Sequence, residues 1–441
     1  MKKVFPLLLI FTLFTTISLR AQETVPLSLQ EALDATLSNN KEVTIARLEE
    51  ESATARYQQT NAVFLPQIRL SYSALSTNNP LNAFGFKLQQ ESIAPSDFNP
   101  ELLNNPSATQ NFVTKAEWQQ PILNLDMLHM RRAAQQKTDV YAYKTKRTKE
   151  YLAFEVQKAY AQLHLAHQAN SVLEEALNTV RAIHTATNDR FEKGFLQKSD
   201  VLHVEVQVSS TERQVSEAKS NVRNASDYLS LLMDKPTGVI YQVEPVSLAA
   251  TLEDTDSQIP DNRADFRAMQ SAVAAHDMMI SSGKMAYLPK LNAFGEYLIN
   301  DKEAFGFGAN SYLVGAQLSW TLFNGMSTRS KIAEHRAERN KVATQLQYQK
   351  EQSQLELNKT IRQREDARFA LQQQELAVNQ AAEALRILQN RYQQGLVTTN
   401  DILQSQTLLS QQKLNQAQAV FQFNTTQAYL QFLTTTSESK K

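Results

Sequence analysis

Apolar residues recur at alternating spacings of four and three in the C-terminal part of the chain. The positions with this spacing are Ala367, Leu371, Gln374, Val378, Ala381, Leu385, Leu388 and Tyr392. The pattern is typical of a long helix that buries one stripe against neighbouring helices and leaves its other side in water. A weaker stripe lies in the first half. It contains Ala166, Leu173, Leu177, Val180 and Phe191, with Asn170, His184 and Thr187 at the remaining positions.

Glycine and proline are scarce, with 10 and 12 residues respectively, and the gaps between them outline the helices. Four stretches without either residue are rich in Gln, Ala, Leu, Glu and Lys, which favour helix. They predict long helices over residues 126–193, 196–233, 326–394 and 397–434. Gly194 separates the first pair of helices and Gly395 separates the second. Glycine at such a place supplies the left-handed conformation that ends a helix.

A second pattern, with a period of two, predicts β-strands that have one apolar and one polar face. The predicted strands cover residues 67–76, 111–121, 290–300 and 311–322. The alternation is clearest in the last strand, where Tyr312, Val314 and Leu318 share a face. Trp118 and Trp320 lie on apolar faces near strand ends. They are candidates for an aromatic girdle at a membrane surface, and ordinary core packing is the alternative.

The predicted elements follow the same order in both halves, which indicates an internal repeat. Residues 22–235 form the first repeat and residues 263–441 the second. An irregular connector, residues 236–262, joins them and contains a predicted small strand at Val239–Val243. The predicted order in each repeat is a shorter helix, a strand, a loop, a second strand, a very long helix, a glycine turn and a long helix. The loop of the first repeat, about Ser76–Gln110, is much the longer of the two.

The first repeat opens with a capping-box pattern, in which Ser28 is followed by Glu31. A helix is predicted from there to about Phe64, with an interruption near Asn39–Asn40. It ends before Pro66, because proline disfavours helix at the residue that precedes it.

The N-terminal residues 1–21 combine Lys2 and Lys3 with a mostly apolar run and a small residue, Ala21. This arrangement predicts a secretory signal peptide, and an amphipathic or core helix is the alternative. No later segment is apolar enough for a second spanning helix. The chain contains no cysteine, and therefore none for lipid attachment. Its 45 basic residues balance its 45 acidic residues, which gives no electrostatic footprint for nucleic acid.

Strands of about ten residues match the length that crosses a bilayer as tilted β-strands. A wall between lipid and water needs one apolar and one polar face, and lipid does not tolerate open sheet edges. Four strands cannot close a barrel, and membrane-spanning strands would therefore require several chains in one barrel. The alternative is a soluble α+β protein whose two hairpins pack on helices.

Both glycine turns carry one motif: Arg, aromatic, two residues, Gly, five residues, Asp. The aromatic residue is Phe191 in the first copy and Tyr392 in the second. Ser199–Asp200 and Asn400–Asp401 are the predicted N-caps of the helices that follow. In a bundle of several chains the turns would meet at one end, where the two aspartates would form a carboxylate ring that favours cations and offers a gate. On the alternative interpretation, the motif only connects two helices.

An ordered and duplicated set of short motifs spans nearly the whole mature chain. Its members are Ser28–Leu33 with Asn39–Asn40, Leu65–Pro66 and Leu288–Pro289 before strands, Leu322–Gly325 after the last strand, and the two glycine-turn motifs. No single motif is specific, but the set resembles the TolC-type outer membrane efflux proteins, also called outer membrane factors.

This resemblance implies an α+β membrane protein that forms a homotrimer. Long antiparallel, coiled-coil-like helices would form a periplasmic α-barrel, and residues 236–262 would contribute to an equatorial belt. The four strands of each chain would enter a shared twelve-stranded β-barrel in outer-membrane lipid. The function implied is a passive exit duct for efflux or type I secretion, in company with a periplasmic adaptor and an inner-membrane transporter. The alternative function is a non-channel periplasmic or surface coiled-coil scaffold.

The same resemblance suggests roles for residues of the two turns. Gly194 and Gly395 match the turns near which the adaptor docks. Asp200 and Asp401 match acidic positions of the tunnel tip, and Tyr392 matches an aromatic residue of the closed tip.

The chain also departs from the family pattern. The best-described gate of the family uses an arginine and an aspartate where this chain has Val397 and Gln404. Other contacts must therefore hold the closed state, or hold it more loosely. His164 and His167 are spaced for one helix face but have no evident third metal ligand. The sequence thus predicts no metal, no cofactor and no catalytic motif, and it does not distinguish drugs, metal ions and proteins as cargo.

Overall fold

The computed structural model describes residues 24–245 and 258–436. The predicted signal peptide and part of the connector lie outside these residues. The helices are α1 (Leu29–Asn39), α2 (Lys41–Gln59), α3 (Pro80–Gln89), α4 (Pro100–Asn104), α5 (Leu125–Glu192), α6 (Lys198–Leu232), α7 (Ala264–Met285), α8 (Ser327–Gln393) and α9 (Thr399–Thr434). The strands are β1 (Thr24–Leu27), β2 (Gln67–Thr77), β3 (Thr109–Leu123), β4 (Ile240–Val243), β5 (Lys290–Asp301) and β6 (Ala309–Ser319).

The long helices and the strands of the main sheet begin and end within a few residues of the predicted bounds. The predicted apolar stripe is confirmed on α8, where Ala381, Leu385 and Tyr392 are buried. It is confirmed on α5 as well, where Val180 is buried and even the polar Thr187 is fully inaccessible. Positions spaced four and three apart return to one side of a helix, which explains why a stripe read from sequence coincides with the buried side.

The first helix is interrupted at Asn40, as predicted near Asn39–Asn40. The Asn40 side chain donates to the carbonyl oxygen of Leu232 at 2.8 Å and accepts from the backbone of Glu42 at 2.7 Å. The asparagine thus ends α1, starts α2 and ties both to the end of α6. The capping box at Ser28 is also confirmed, because Glu31 N donates to Ser28 Oγ at 3.2 Å and Ser28 N donates to the Glu31 carboxylate at 3.0 Å.

The predicted long loop over about Ser76–Gln110 does connect β2 to β3, but the prediction missed its helices. This segment contains α3, α4 and a short 3-10 turn between them. Asn79 accepts from Asn82 N at 3.2 Å and caps α3, while Asn99 accepts from Glu101 N at 3.0 Å and caps α4. A proline follows each cap. The two Asn-Pro pairs of this segment are therefore helix starts, in which proline occupies the first turn.

The chain divides into two compact units. Among the described residues, the first unit contains residues 24–43, 149–245 and 356–434. One of its cores surrounds the small parallel sheet of β1 and β4, in which Thr24 pairs with Ile240. The Tyr160 hydroxyl joins the two strands, because it donates to the Leu27 carbonyl at 2.8 Å and accepts from Glu244 N at 3.1 Å. The predicted small strand of the connector is thus confirmed as β4.

The second unit contains residues 44–148, 258–355 and 435–436 of the described chain. Its antiparallel sheet has the order β2-β3-β5-β6, and the central β3–β5 pair joins strands from the two halves of the sequence. The side chains of Asp126 and Lys290 form an ion pair at 2.5 Å, which ties the start of α5 to the start of β5. Strands β2 and β6 are the two edges of this sheet.

The two faces of the sheet differ in chemistry. Ile68, Trp118, Gly295 and Val314 are opposite one another across the four strands, and they belong to the face that also carries Leu70, Tyr297 and Tyr312. Large apolar side chains on this face are exposed, with Leu70 74% and Tyr312 78% accessible. The row Arg69, Glu117, Glu296 and Leu313 belongs to the opposite face. In the described chain, no helix is both long and apolar enough to cross a membrane.

Candidate gate at the paired helical turns

Two glycines in the left-handed region end α5 and α8. Gly194 has φ +80° and Gly395 has φ +77°. In the first turn Gly194 N donates to Phe191 O at 2.8 Å and Phe195 N donates to Arg190 O at 2.9 Å. The second turn repeats this pair of bonds, which is the Schellman arrangement. A Cβ at either glycine would meet no atom within 4 Å, and it is the backbone angle, not lack of space, that requires glycine here.

The predicted N-caps of the helices after the turns were wrong by up to three residues. The caps are Gln197 before α6 and Thr398 before α9, and each aspartate stands three residues further on. Thr398 Oγ1 accepts from Asp401 N at 3.2 Å, while the Asp401 carboxylate accepts from Thr398 N at 2.9 Å. The Asp200 carboxylate likewise accepts from Gln197 N at 3.0 Å. Both acids therefore bind their own turn, as the acidic residue of a capping box does.

The hydrogen bonds from the Thr398 side chain and backbone hold the pKa of the Asp401 carboxyl below its ordinary value. Because the pKa of the folded form is depressed, the cap stabilises the start of α9 fully above the ordinary aspartate pKa. This contribution is lost as the pH falls through the depressed pKa. Asp401 is thus ionised at neutral pH and is exposed to solvent.

Tyr392, the aromatic residue of the second motif, is buried and 5% accessible. Its hydroxyl lies 2.9 Å from Thr187 Oγ1 and 3.2 Å from Thr399 Oγ1. Since Thr187 already donates its single hydroxyl hydrogen to Ile183 O at 2.8 Å, Tyr392 must donate to Thr187 and accept from Thr399. One buried chain of hydroxyls therefore joins α5, α8 and α9.

Arg190, which precedes the Gly194 turn, contacts the same tyrosine. Its guanidinium carbon lies 4.3 Å from the centroid of the Tyr392 ring. Its Nη2 donates to the carbonyl oxygens of Tyr392 and Gln393. These are among the last carbonyls of α8, where a positive charge is favourable. Arg190 thus couples the end of α5 to the end of α8.

Apolar packing supports these polar contacts. Buried side chains from α5, α6, α8 and α9 form one cluster around Tyr392. Its members include Val180, Ile183, Val204, Ala381, Leu385, Ile402, Leu403 and Leu409. Val397 packs against this cluster, whereas Gln404 is exposed. The residue at the position of the family's gate arginine therefore contributes apolar packing instead of a charge.

The structure places all six predicted turn residues in two adjoining turns, but it does not bring the aspartates into contact with each other. Phe191 is half-buried, with Lys198 Nζ at 5.6 Å from its ring centroid. The residues that follow the two glycines, Phe195 and Leu396, are 77% and 62% accessible. The turns thus combine a buried polar core with two exposed apolar tips.

Sequence reasoning assigned no role to Thr187, Thr399 or Arg190. A signal existed for Thr187, because it occupies a stripe position at which a polar residue needs a buried partner. For Arg190 the signal was its place at the start of the repeated motif. That signal does not single out Arg190, because Arg391 has the same place in the second copy and is exposed. The two copies of the motif are therefore not equivalent in structure.

The two tryptophans differ in their position along the main sheet. Trp118 pairs with Ile68 near the start of β2, and its ring lies against Gly295. Trp320 directly follows β6, is 61% accessible, and its indole Nε1 donates to Tyr287 O at 2.9 Å. Trp118 is thus on the central strand β3, in the cross-strand row of Val314, whereas Trp320 lies past the end of β6, and the aromatic girdle stays a prediction.

The opposite sheet face is polar and charged. The Lys115 ammonium lies 2.7 Å from the Glu117 carboxylate and 3.0 Å from the Glu296 carboxylate. Arg69 is directly opposite Glu117 in the strand register. Glu117 and Glu296 are directly opposite each other, and Arg69 and Lys115 offset their charges, an arrangement suited to a wet surface.

Comparison with known proteins agrees with this architecture. Nodulation protein T of Rhizobium leguminosarum bv. trifolii is 25% identical over 272 residues, which cover 58% of this chain and 56% of the relative. The match thus spans little more than half of that relative's length.

Solved structures share the fold at low identity. The Campylobacter jejuni CmeC outer membrane channel is 17% identical with a TM-score of 0.77, over 94% of this chain and 87% of that one. The Neisseria gonorrhoeae MtrE outer membrane channel in its open state is 15% identical with a TM-score of 0.73, over 92% and 88%. The outer membrane protein VceC from Vibrio cholerae is 15% identical with a TM-score of 0.76, over 92% and 95%.

The family model described as outer membrane efflux protein matches residues 32–234 and 257–436. The two matched segments leave out most of the irregular connector and together make up most of the chain. The chain therefore belongs to the outer membrane efflux protein family.

Proposed function

We propose that this chain is a passive exit duct of the outer membrane. It carries substrates delivered by an inner-membrane transporter, through a periplasmic adaptor, in efflux or type I secretion. The observation that carries the proposal is the main sheet, with an exposed apolar face on one side and a charged face on the other. Transport through such a duct takes its energy from the transporter and needs no catalytic residue in this chain.

The strand lengths and edges support a shared membrane barrel. Strands β2 and β6 have 11 residues and β5 has 12, which suits tilted spanning strands. The apolar face would meet lipid and the charged face would meet water. The edges β2 and β6 must be paired in lipid, and neighbouring copies would pair them. Three copies of this four-stranded sheet give twelve strands, the number that the family resemblance implies.

Each half of the internal repeat contributes the same order of elements to this assembly. Residues 22–235 and residues 263–441 would each supply two strands and one long helical hairpin. Residues 236–262 would contribute to an equatorial belt, which the parallel pairing of β4 with β1 supports.

The glycine turns are the proposed periplasmic gate and adaptor contact. In a trimer six such turns would surround the pore, and Asp200 and Asp401 would place carboxylates there. The exposed Phe195 and Leu396 beside Gly194 and Gly395 offer apolar contacts that an adaptor would cover.

The scaffold alternative fits these observations less well. It requires the apolar faces of the strands to be buried against helices. Instead Leu70, Tyr312 and Val314 are each more than half accessible. An apolar sheet face of this extent needs a covering, and lipid provides it.

Planar bilayer recordings test the duct and its gate together. The purified protein should form discrete, cation-preferring pores, and Asp401→Ala should lower both the cation preference and the block by divalent cations, because the exposed carboxylate is removed from the constriction. A complete lack of pores would contradict the duct. Pores with unchanged selectivity in Asp401→Ala would remove Asp401 from the constriction.

Thr398→Ala is the matched control for this experiment. It removes the hydroxyl that binds Asp401 but keeps the carboxylate and its charge. Its selectivity should remain that of the unchanged protein. A loss of selectivity in Thr398→Ala as large as in Asp401→Ala would assign the effect to the helix cap and not to the charge.

A further inference from the structure

A pocket in the second unit lies between α2, α5 and α7, apart from the turns and from the sheet. It has a volume of about 280 Å³. Its floor is built from small residues, among them Ala53, Ala134 and Ala275, and Ala275 is 2% accessible. Alanines on three neighbouring helices leave room that larger side chains would fill. The floor is therefore an apolar recess and not a polar channel.

The mouth of this pocket is cationic. Arg56, Lys137 and Lys144 line it, and no aspartate or glutamate does. Among the described residues, none of these three side chains forms an ion pair with a carboxylate. Lys144 Nζ lies 5.2 Å from the centroid of the Tyr141 ring, a contact that leaves its N–H donors available. Three exposed cations thus border one pocket, where a bound anion would pair with them.

A buried polar atom beside the pocket also lacks a partner. His276 lines the pocket, and its Nδ1 is inaccessible and makes no hydrogen bond among the described residues. The neighbouring His335 ring, with its centroid 6.4 Å away, does not supply one. Buried ring nitrogens in proteins are nearly always satisfied. Because this nitrogen is inaccessible, a ligand in the pocket would reach it only if the His276 ring turned.

We propose that the α2–α5–α7 pocket binds a small amphiphilic anion. Its apolar body would rest on the alanine floor. Its carboxylate, sulfonate or phosphate group would lie among Arg56, Lys137 and Lys144. The volume is near the lower end for ligand pockets, which suits a body of one or two rings or a short acyl chain.

The ligand is dissolved and is not a bilayer headgroup. Along α5 the distance from Leu125, next to the sheet, to Lys137 is about 18 Å at 1.5 Å per residue. If the sheet spans the membrane as proposed, the headgroup layer extends only about 5–8 Å beyond the hydrocarbon core. Lipid phosphates therefore stop short of the pocket.

Calorimetric titration of the full chain in phosphatidylcholine nanodiscs tests the site. The probe 2-naphthoate should bind saturably, and Lys137→Gln combined with Lys144→Gln should weaken it about tenfold or more, about 1.4 kcal/mol. The neutral analogue 2-naphthylmethanol should bind the two proteins equally. Ala272→Leu, which fills the recess, should block both probes without touching a charge.

The matched control removes two charges elsewhere on the same unit. Arg132→Gln combined with Lys331→Gln changes exposed residues that do not line the pocket, and 2-naphthoate binding should not change. The proposal is overturned if 2-naphthoate does not saturate, or if this control weakens it equally. It is overturned as well if inorganic phosphate displaces 2-naphthoate at equal concentration, or if phosphatidylglycerol in the nanodisc does so. None of these outcomes depends on whether the chain conducts.

Discussion

Val314→Arg is expected to keep the chain from assembling in the outer membrane. Val314 lies midway along β6 on the apolar face and is 66% accessible. An arginine that faces lipid near the bilayer midplane costs about 2–4 kcal/mol, and every copy in a shared barrel would bear that cost. The measurement is the fraction of protein recovered in purified outer membranes in its heat-modifiable form. The recovered fraction should be much smaller for Val314→Arg than for the unchanged protein.

Leu313→Arg is the control, because Leu313 is the neighbouring apolar residue on the opposite face. It is 55% accessible and pairs with Glu296 in the strand register. An arginine there would face water and an acidic partner, and assembly should remain close to normal. Equal failure or equal success of the two variants would contradict the assignment of the faces.

Tyr392→Ala is expected to open the proposed gate. The substitution removes a buried ring, its two hydroxyl contacts and the surface on which the Arg190 guanidinium rests. Loss of a buried aromatic side chain costs about 3–5 kcal/mol. The local structure of the turns should loosen, which would raise both single-channel conductance and hydrogen exchange in residues 183–204 and 378–403.

Tyr392→Phe separates the hydroxyl chain from the packing. Phenylalanine keeps the ring against Arg190 but leaves Thr187 and Thr399 without their shared partner. A smaller loss, about 1 kcal/mol, is expected, with a conductance between those of the unchanged protein and the alanine variant. If Tyr392→Ala left conductance and exchange unchanged, Tyr392 would be a packing residue without a part in the gate.

Local patterns in the sequence were enough to predict most of the fold. The four-three spacing that ends at Tyr392 coincides with the buried stripe of α8, because helical geometry alone decides which residues share a side. The alternation through Tyr312 and Val314 likewise predicted which side chains of β6 lie on its exposed apolar face. The left-handed backbone angles of Gly194 and Gly395 could be predicted because glycine has no side chain that opposes them.

The contacts of the candidate gate could not be predicted in this way. Arg190 meets Tyr392 only because two distant helical hairpins pack together, and no local spacing encodes that pairing. The caps were misplaced for another reason. Aspartate is common both as the N-cap residue and three residues after the N-cap. Only the hydrogen bond from Asp401 N to the Thr398 side chain shows that Thr398 is the cap. The helices at Pro80 and Pro100 were missed because Asn-Pro favours turns and helix starts alike.

The number of chains in the particle extracted from outer membranes tests the central claim most directly. Native mass measurement after gentle detergent extraction should give a three-chain particle, because four strands with two open edges cannot close a barrel alone. A monomer or dimer that is soluble and absent from the outer-membrane fraction would contradict the shared barrel, and with it the proposed duct.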